Sequence, residues 1–157
     1  MAGPKIGAPV PDFSLPASGS GTRPWRLRDA AGQKLVIYFY PKDMTSGCTR
    51  ESQDFRDLHA AFRRAGARIV GVSRDSVASH EKFTAKEELP FPLLSDADEK
   101  LCKRFDVIKE KTLYGRKYLG IERSTFLLDG AGVLRREWRK VKVPGHAEEV
   151  LEAAKSL

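Results

Sequence analysis

The chain has 157 residues, 41% of them hydrophobic and 31% charged, which fits a single domain over residues 1–157, large enough to bury a proper core. Its net charge of +7 is spread among interleaved acidic residues without a basic tail, which argues against a purely electrostatic nucleic-acid binder. The start, Met1-Ala2-Gly3-Pro4-Lys5, lacks the apolar core of a signal peptide, and the longest apolar run, 35–40, is far too short to cross a bilayer; a soluble, cytoplasmic protein without membrane attachment is expected.

Residues 4–34 carry Pro4, Pro9, Pro11, Pro16 and Pro24 and the flexible Ser18-Gly19-Ser20-Gly21, so short strands and turns are expected there rather than helix. Gly19 and Gly21 lack the preceding strand and following helix of a phosphate loop. Residues 35–40 read as a fully buried central strand, stopped by Pro41. From 47 to about 64, Phe55, Leu58 and Phe62 recur on one face of an amphipathic helix, which Gly66 ends. Residues 68–73 form a second strand, and Asp75 or Ser76 caps a helix to about 88 with Val77, His80 and Phe83 or Thr84 on one side. A short extended piece follows at 91–94, between prolines, and Asp96 caps a brief helix through 105. Residues 121–129 form a strand that turns at Asp129-Gly130-Ala131-Gly132 and pairs with 133–141 as a hairpin. A final helix, 146–156, buries Val150, Leu151 and Ala154. This order predicts an α/β protein: a central mixed sheet flanked by helices with an N-terminal β extension, the layout of a thioredoxin-like fold.

The run Tyr40-Pro41-Lys42-Asp43-Met44-Thr45-Ser46-Gly47-Cys48-Thr49-Arg50-Glu51 places Cys48 in the first turn of a helix, directly after the central strand. Unpaired N–H groups at a helix N-terminus carry partial positive charge and favour a thiolate over its thiol. Pro41 limits the backbone and shields the sulfur from bulk water. Thr45 is expected to point its hydroxyl into the same pocket, toward the sulfur or a peroxide oxygen, and Gly47 allows close approach. Attack on an O–O bond releases an alkoxide or hydroxide, so donors must meet that charge. Arg123, at the start of a strand expected beside the central one, supplies a permanent cation, and Glu51, one turn beyond Cys48, orients it.

These residues carry a family resemblance. The runs Tyr38-Phe39-Tyr40-Pro41-Lys42-Asp43, Thr45, Gly47-Cys48-Thr49, Glu51 and Asp54-Phe55 begin it. Gly71-Val72-Ser73-Arg74-Asp75, Phe91-Pro92-Leu93-Leu94-Ser95-Asp96 and Glu122-Arg123-Ser124-Thr125-Phe126-Leu127 continue it. Together they closely resemble peroxiredoxin Q, also called bacterioferritin comigratory protein. The resemblance implies a thioredoxin-like fold, reduction of hydrogen peroxide and organic hydroperoxides, and no metal or organic cofactor. Cys48 would be the peroxidatic cysteine, with Thr45, Pro41 and Arg123 completing its pocket, and the protein a monomer.

The chain departs from the family at the resolving cysteine. Many members carry it five residues after the peroxidatic one, where Gln53 stands here; others carry it on the next helix, where Thr84 stands. Ser46 replaces a more typical proline. Cys102 reads either as a small apolar residue beside Leu101 and Phe105 or as a distant resolver. The second role would need its Cα within roughly 7 Å of that of Cys48. The expectation is a one-cysteine cycle, with the sulfenic acid on Cys48 reduced by an external thiol of the thioredoxin or glutaredoxin type.

Rival readings rest on fewer residues. His59 would lie roughly 16 Å from Cys48 along a helix, too far to serve as its base. His80 and His146 sit in separate segments without ligand spacing, so no metal site is expected. A disulfide reductase would need a second sulfur where Glu51 stands. Arg135-Arg136-Glu137-Trp138-Arg139-Lys140 reads as the solvated face of a strand, or else as a basic strand with a stacking tryptophan for single-stranded nucleic acid. The alternative of another class is a peroxide sensor or redox-regulated binding protein without rapid turnover.

Overall fold

A computed structural model describes residues 3–19 and 23–157; Met1, Ala2, Ser20 and Gly21 of the segments named above lie outside the described residues. Among its described residues the proline-rich start forms the short antiparallel pair β1 (Ser14–Leu15) and β2 (Trp25–Arg26), isolated bridges from Pro9 to Val133 and from Ala17 to Leu94, and a 3-10 turn at Leu27–Ala30. Each proline removes a donor and fixes φ, so longer ladders are unavailable.

β3 (Lys34–Phe39) is the centre of a five-stranded sheet. It is followed by α1 (Ser46–Asp57), α2 (His59–Arg64), β4 (Ala67–Ser73), α3 (Val77–Glu87), β5 (Leu93–Ser95) and α4 (Lys100–Arg104). Then come β6 (Ile108–Leu113), β7 (Arg116–Ile121), β8 (Ser124–Leu128), β9 (Leu134–Trp138) and α5 (His146–Lys155). The sheet order is β5-β4-β3-β8-β9, with β3 parallel to β4 and antiparallel to β8. This is the expected mixed α/β sheet.

Strand alternation divides the core into two layers. Val36, Tyr38 and Tyr40 pack with Phe55, Phe62, Phe83 and Val150 under α1, α2, α3 and α5. Leu35, Ile37 and Phe39 pack on the opposite face with Cys102, Phe105, Phe126 and Trp25, under α4 and the N-terminal extension. Gly71 admits the Tyr38 ring, because a Cβ there would lie 2.8 Å from Tyr38 Cζ.

Several boundaries differ from expectation, among them the strand expected over 133–141, which ends at Trp138. The helix expected over 47–64 breaks at Leu58 (φ −97, ψ 2), and α2 then packs against β4. The strand expected from 121 begins at Ser124, since Ile121 closes the antiparallel β6–β7 hairpin. That hairpin turns at Tyr114 and Gly115, both at positive φ, and is largely exposed, so it lacks the apolar alternation that marks a core strand. Asp96 is not itself the cap residue of α4, but its carboxylate accepts from the N–H groups of Leu101 and Cys102. The basic strand β9 is engaged internally: Arg136 stacks on Trp138, Trp138 donates to Glu149, and Arg139 donates to the carbonyls of Phe105 and Asp106. No helix among the described residues is long and apolar enough to cross a membrane.

Candidate active site

β3 delivers the chain to the sheet's C-terminal edge, and after a six-residue loop α1 starts at Ser46, with Thr45 at its N-cap. Cys48 is the third residue of that helix and only 1% exposed. The Thr45 side chain does not cap α1, so the first N–H groups of the helix are without that partner.

Arg123 reaches this point because β8 pairs antiparallel with β3, setting Ser124 opposite Phe39. Arg123 immediately precedes that pair, and its carbonyl accepts from Val141 N–H at 3.0 Å. The guanidinium Nη2 donates to Cys48 Sγ at 3.4 Å, while Nη1 donates to Glu51 Oε1 at 2.6 Å. One planar cation thus bridges a carboxylate and the sulfur, as a fixed fork of donors can and an ammonium cannot. Burial works against the Arg123 charge, but Glu51 and Cys48 outweigh it and raise the guanidinium further.

Glu51 is 1% exposed, and among the described residues its Oε2 meets no donor. Burial pushes this carboxyl up to about 7, against the pull of Arg123. A single good ion pair does not replace the water that both oxygens lose.

The remaining expected residues take more varied places. Thr45 is exposed, and its hydroxyl donates to Lys42 O at 2.8 Å rather than to the sulfur. This corrects the expected direction of its donor and leaves the oxygen lone pairs as acceptors. Gly47 makes room for a side chain: a Cβ there would lie 3.2 Å from Arg123 Nη2. Pro41 is half-buried and stands two residues past the end of β3, after Tyr40.

Cys102 is fully buried on the other side of the sheet from Cys48, in the opposite core layer. Burial and the neighbouring Asp96 push its thiol well above the ordinary range, and it packs in the cluster that holds Phe39, Phe105 and Phe126.

The structure also gathers residues that sequence spacing leaves apart. Asp43, Asp75 and His80 bring their ligand-type atoms within 4.8 Å of one another beside the Cys48 loop. His80 on α3 and Asp43 in the loop before α1 are 37 positions apart, and no spacing in the sequence signals the pairing. His146 lies in a separate place, with Nε2 2.8 Å from Thr125 Oγ1.

Comparison with known proteins bears directly on this geometry. A sequence model of the AhpC/TSA family matches residues 6–137. The chain belongs to the AhpC/TSA family. Within it, the Peroxiredoxin Bcp of Xanthomonas campestris is 59% identical over 148 residues, covering 94% of this chain and 92% of its own. A structure of a Xylella fastidiosa PrxQ cysteine-to-serine mutant superposes with a TM-score of 0.92 at 47% identity, over 99% of this chain and 98% of that one. A Xanthomonas campestris bacterioferritin comigratory protein, described for its alkyl peroxide reduction activity from a trapped intermediate/ligand complex, gives 0.86 at 57% identity over 92% and 90%. The chain is therefore a peroxiredoxin of the Bcp/PrxQ type with a thioredoxin-like fold, an enzyme of the thiol-dependent peroxidases. These relatives do not favour the sensor reading.

Proposed function

We propose that this peroxiredoxin reduces hydrogen peroxide and organic hydroperoxides by direct attack of the Cys48 sulfur, in a one-cysteine cycle. The observation that carries the assignment is the Arg123 fork, which donates to the sulfur with one nitrogen while Glu51 holds the other. The Cys48 thiolate attacks the distal oxygen of ROOH; the S–O bond forms, the O–O bond breaks, and the sulfur is oxidised to sulfenic acid. The electron pair leaves on RO⁻, which takes a proton from solvent and departs as ROH. Arg123 and the N–H groups of the first turn of α1 meet the charge that develops on these oxygens. Thr45, its own proton bonded to Lys42 O, accepts the peroxide O–H and orients it. Gly47, Pro41 and Glu51 shape the pocket and anchor Arg123.

An external thiol then attacks the sulfenic sulfur, releasing water and forming a mixed disulfide, and a second thiol frees Cys48. The burial of Cys102 behind the sheet supports this route over internal resolution, as do Gln53 and Thr84 at the family's two usual resolving positions. We take the reductant to be of the thioredoxin or glutaredoxin type and the enzyme to be a cytoplasmic monomer. Peroxide consumption in excess dithiol tests the proposal: the wild-type protein destroys many equivalents and Cys48→Ser none. Turnover by Cys48→Ser at the wild-type rate would sink it.

A further inference from the structure

The loop between β3 and α1 carries Thr45 and leads into the first turn of α1, yet it holds a conformation its own residues do not favour. Met44 sits at φ 63, in the left-handed region where a residue with a Cβ is strained. Met44 is 45% exposed and belongs to neither core cluster, so core packing does not hold it there. Such strain persists only where the surroundings over-determine the backbone. After Met44, the Thr45 hydroxyl donates to Lys42 O, and the Thr45 carbonyl accepts from Thr49 N–H at 2.9 Å.

Before Met44 stands a denser arrangement. Asp43 is 5% exposed. Its Oδ1 accepts from the Tyr40 hydroxyl at 2.6 Å, and its Oδ2 accepts from Ser79 Oγ at 2.8 Å and from His80 Nδ1 at 2.7 Å. Its N–H donates to Asp75 Oδ2 at 2.9 Å, an oxygen also bonded by Ser73 Oγ. His80, fully buried on α3, places Nε2 3.0 Å from the carbonyl of Leu94 in β5. A carboxylate and a carbonyl can only accept, so each ring nitrogen faces an acceptor, a setting that suits a ring donating from both. Burial alone would raise the Asp43 carboxyl; hydrogen bonds from His80 and Tyr40 outweigh it and leave the carboxyl below its ordinary value. The facing atoms of Asp43, Asp75 and His80 are thus engaged with one another and with their neighbours, and the hydrogen-bond network accounts for their clustering.

We propose that His80 and Asp43 form a buried imidazolium–carboxylate clamp that holds Met44 in its left-handed conformation and so positions Thr45 and Cys48 for peroxide reduction, an inference that rests on the role of Cys48 proposed above. His80 is a positioning residue: it ties the reactive loop to α3 and to the edge strand β5, and it touches no reacting atom.

Nitrogen NMR of the wild-type protein at neutral pH reads the clamp directly, with two N–H groups expected on the His80 ring. Stopped-flow oxidation of Cys48 by hydrogen peroxide reads its consequence. His80→Asn should slow that step about tenfold or more. Adding Met44→Gly, which occupies positive φ without strain, should recover most of the loss, as a merely destabilising substitution elsewhere would not allow. If His80→Asn does not fold, Ser79→Ala removes one donor from Asp43 and carries the same test, with a loss of about threefold expected. A single ring proton on His80, an unchanged rate in a folded variant, or a loss that Met44→Gly leaves in place overturns the clamp. Failure of the Cys48 assignment is distinguishable, because then oxidation of the wild-type protein would not fall on Cys48 at all.

Discussion

Arg123 divides one guanidinium between the Cys48 sulfur and Glu51, and the division sets what a substitution there can tolerate. A lysine offers one compact ammonium that cannot serve both partners in a plane. Arg123→Lys should therefore lower kcat/KM for hydrogen peroxide about 100-fold, read in steady-state assays with excess dithiol. Gly47→Ala acts on the same atom by sterics, since the new Cβ would meet Nη2 at 3.2 Å; a loss of about tenfold is expected. Much of this site is legible in the chain itself: a cysteine after a buried strand and at a helix start, a glycine beside it, a carboxylate one turn on. The direction of the Thr45 hydroxyl is not, because Lys42 O competes for its proton only once the loop has turned. Nor is the Asp43–His80 pair, which depends on α3 and β5 being brought against that loop.

The elements explain why the second thiol stands aside. β3 presents alternate residues to opposite layers, and Cys48 and Cys102 belong to different ones. Joining them would require dismantling part of the sheet or of α1. Cys102→Ser should leave peroxide turnover within about twofold of wild type while costing about 1–2 kcal/mol of stability by chemical denaturation, as expected when a buried packing group gains polarity. A Cys48–Cys102 disulfide found by mass spectrometry after one equivalent of peroxide would contradict this. The strands and helices that build these layers are readable from their apolar spacing, because burial on one face is what the spacing encodes. The β6–β7 hairpin escapes that reading: Lys109, Glu110, Lys111 and Lys117 occupy strands largely outside the core. The break at Leu58 escapes it too, since Phe55, Leu58 and Phe62 keep one apolar face whether the helix is continuous or bent.

Across the whole molecule, two buried groups should pull stability in opposite directions with pH. Glu51 is raised from 4.5 to about 7 by burial, so the folded state binds its proton more tightly, and stability falls as pH rises from 4.5 to about 7. His146 is lowered from 6.5 to about 4 by burial, so the unfolded state binds its proton more tightly, and stability falls as pH drops from 6.5 to about 4. Each effect is at most about 3 kcal/mol, and over the shared window they largely cancel. Glu51→Gln should unmask the His146 slope, giving stability that climbs from pH 4 to 6.5. His146→Gln should unmask the Glu51 slope, giving stability that declines toward pH 7. Urea denaturation of the three proteins across this range checks both signs, and parallel profiles would contradict the pairing.

In the proposed cycle a single sulfur, Cys48, takes the oxygen from peroxide. Single-turnover mixing with one equivalent of hydrogen peroxide, trapping of sulfenic acid with a dione, and peptide mass spectrometry test it most directly. One trapped adduct is expected, on Cys48, formed within the stopped-flow transient and absent from Cys48→Ser. An adduct first appearing on Cys102, or an unmodified Cys48 after the peroxide is gone, would contradict it.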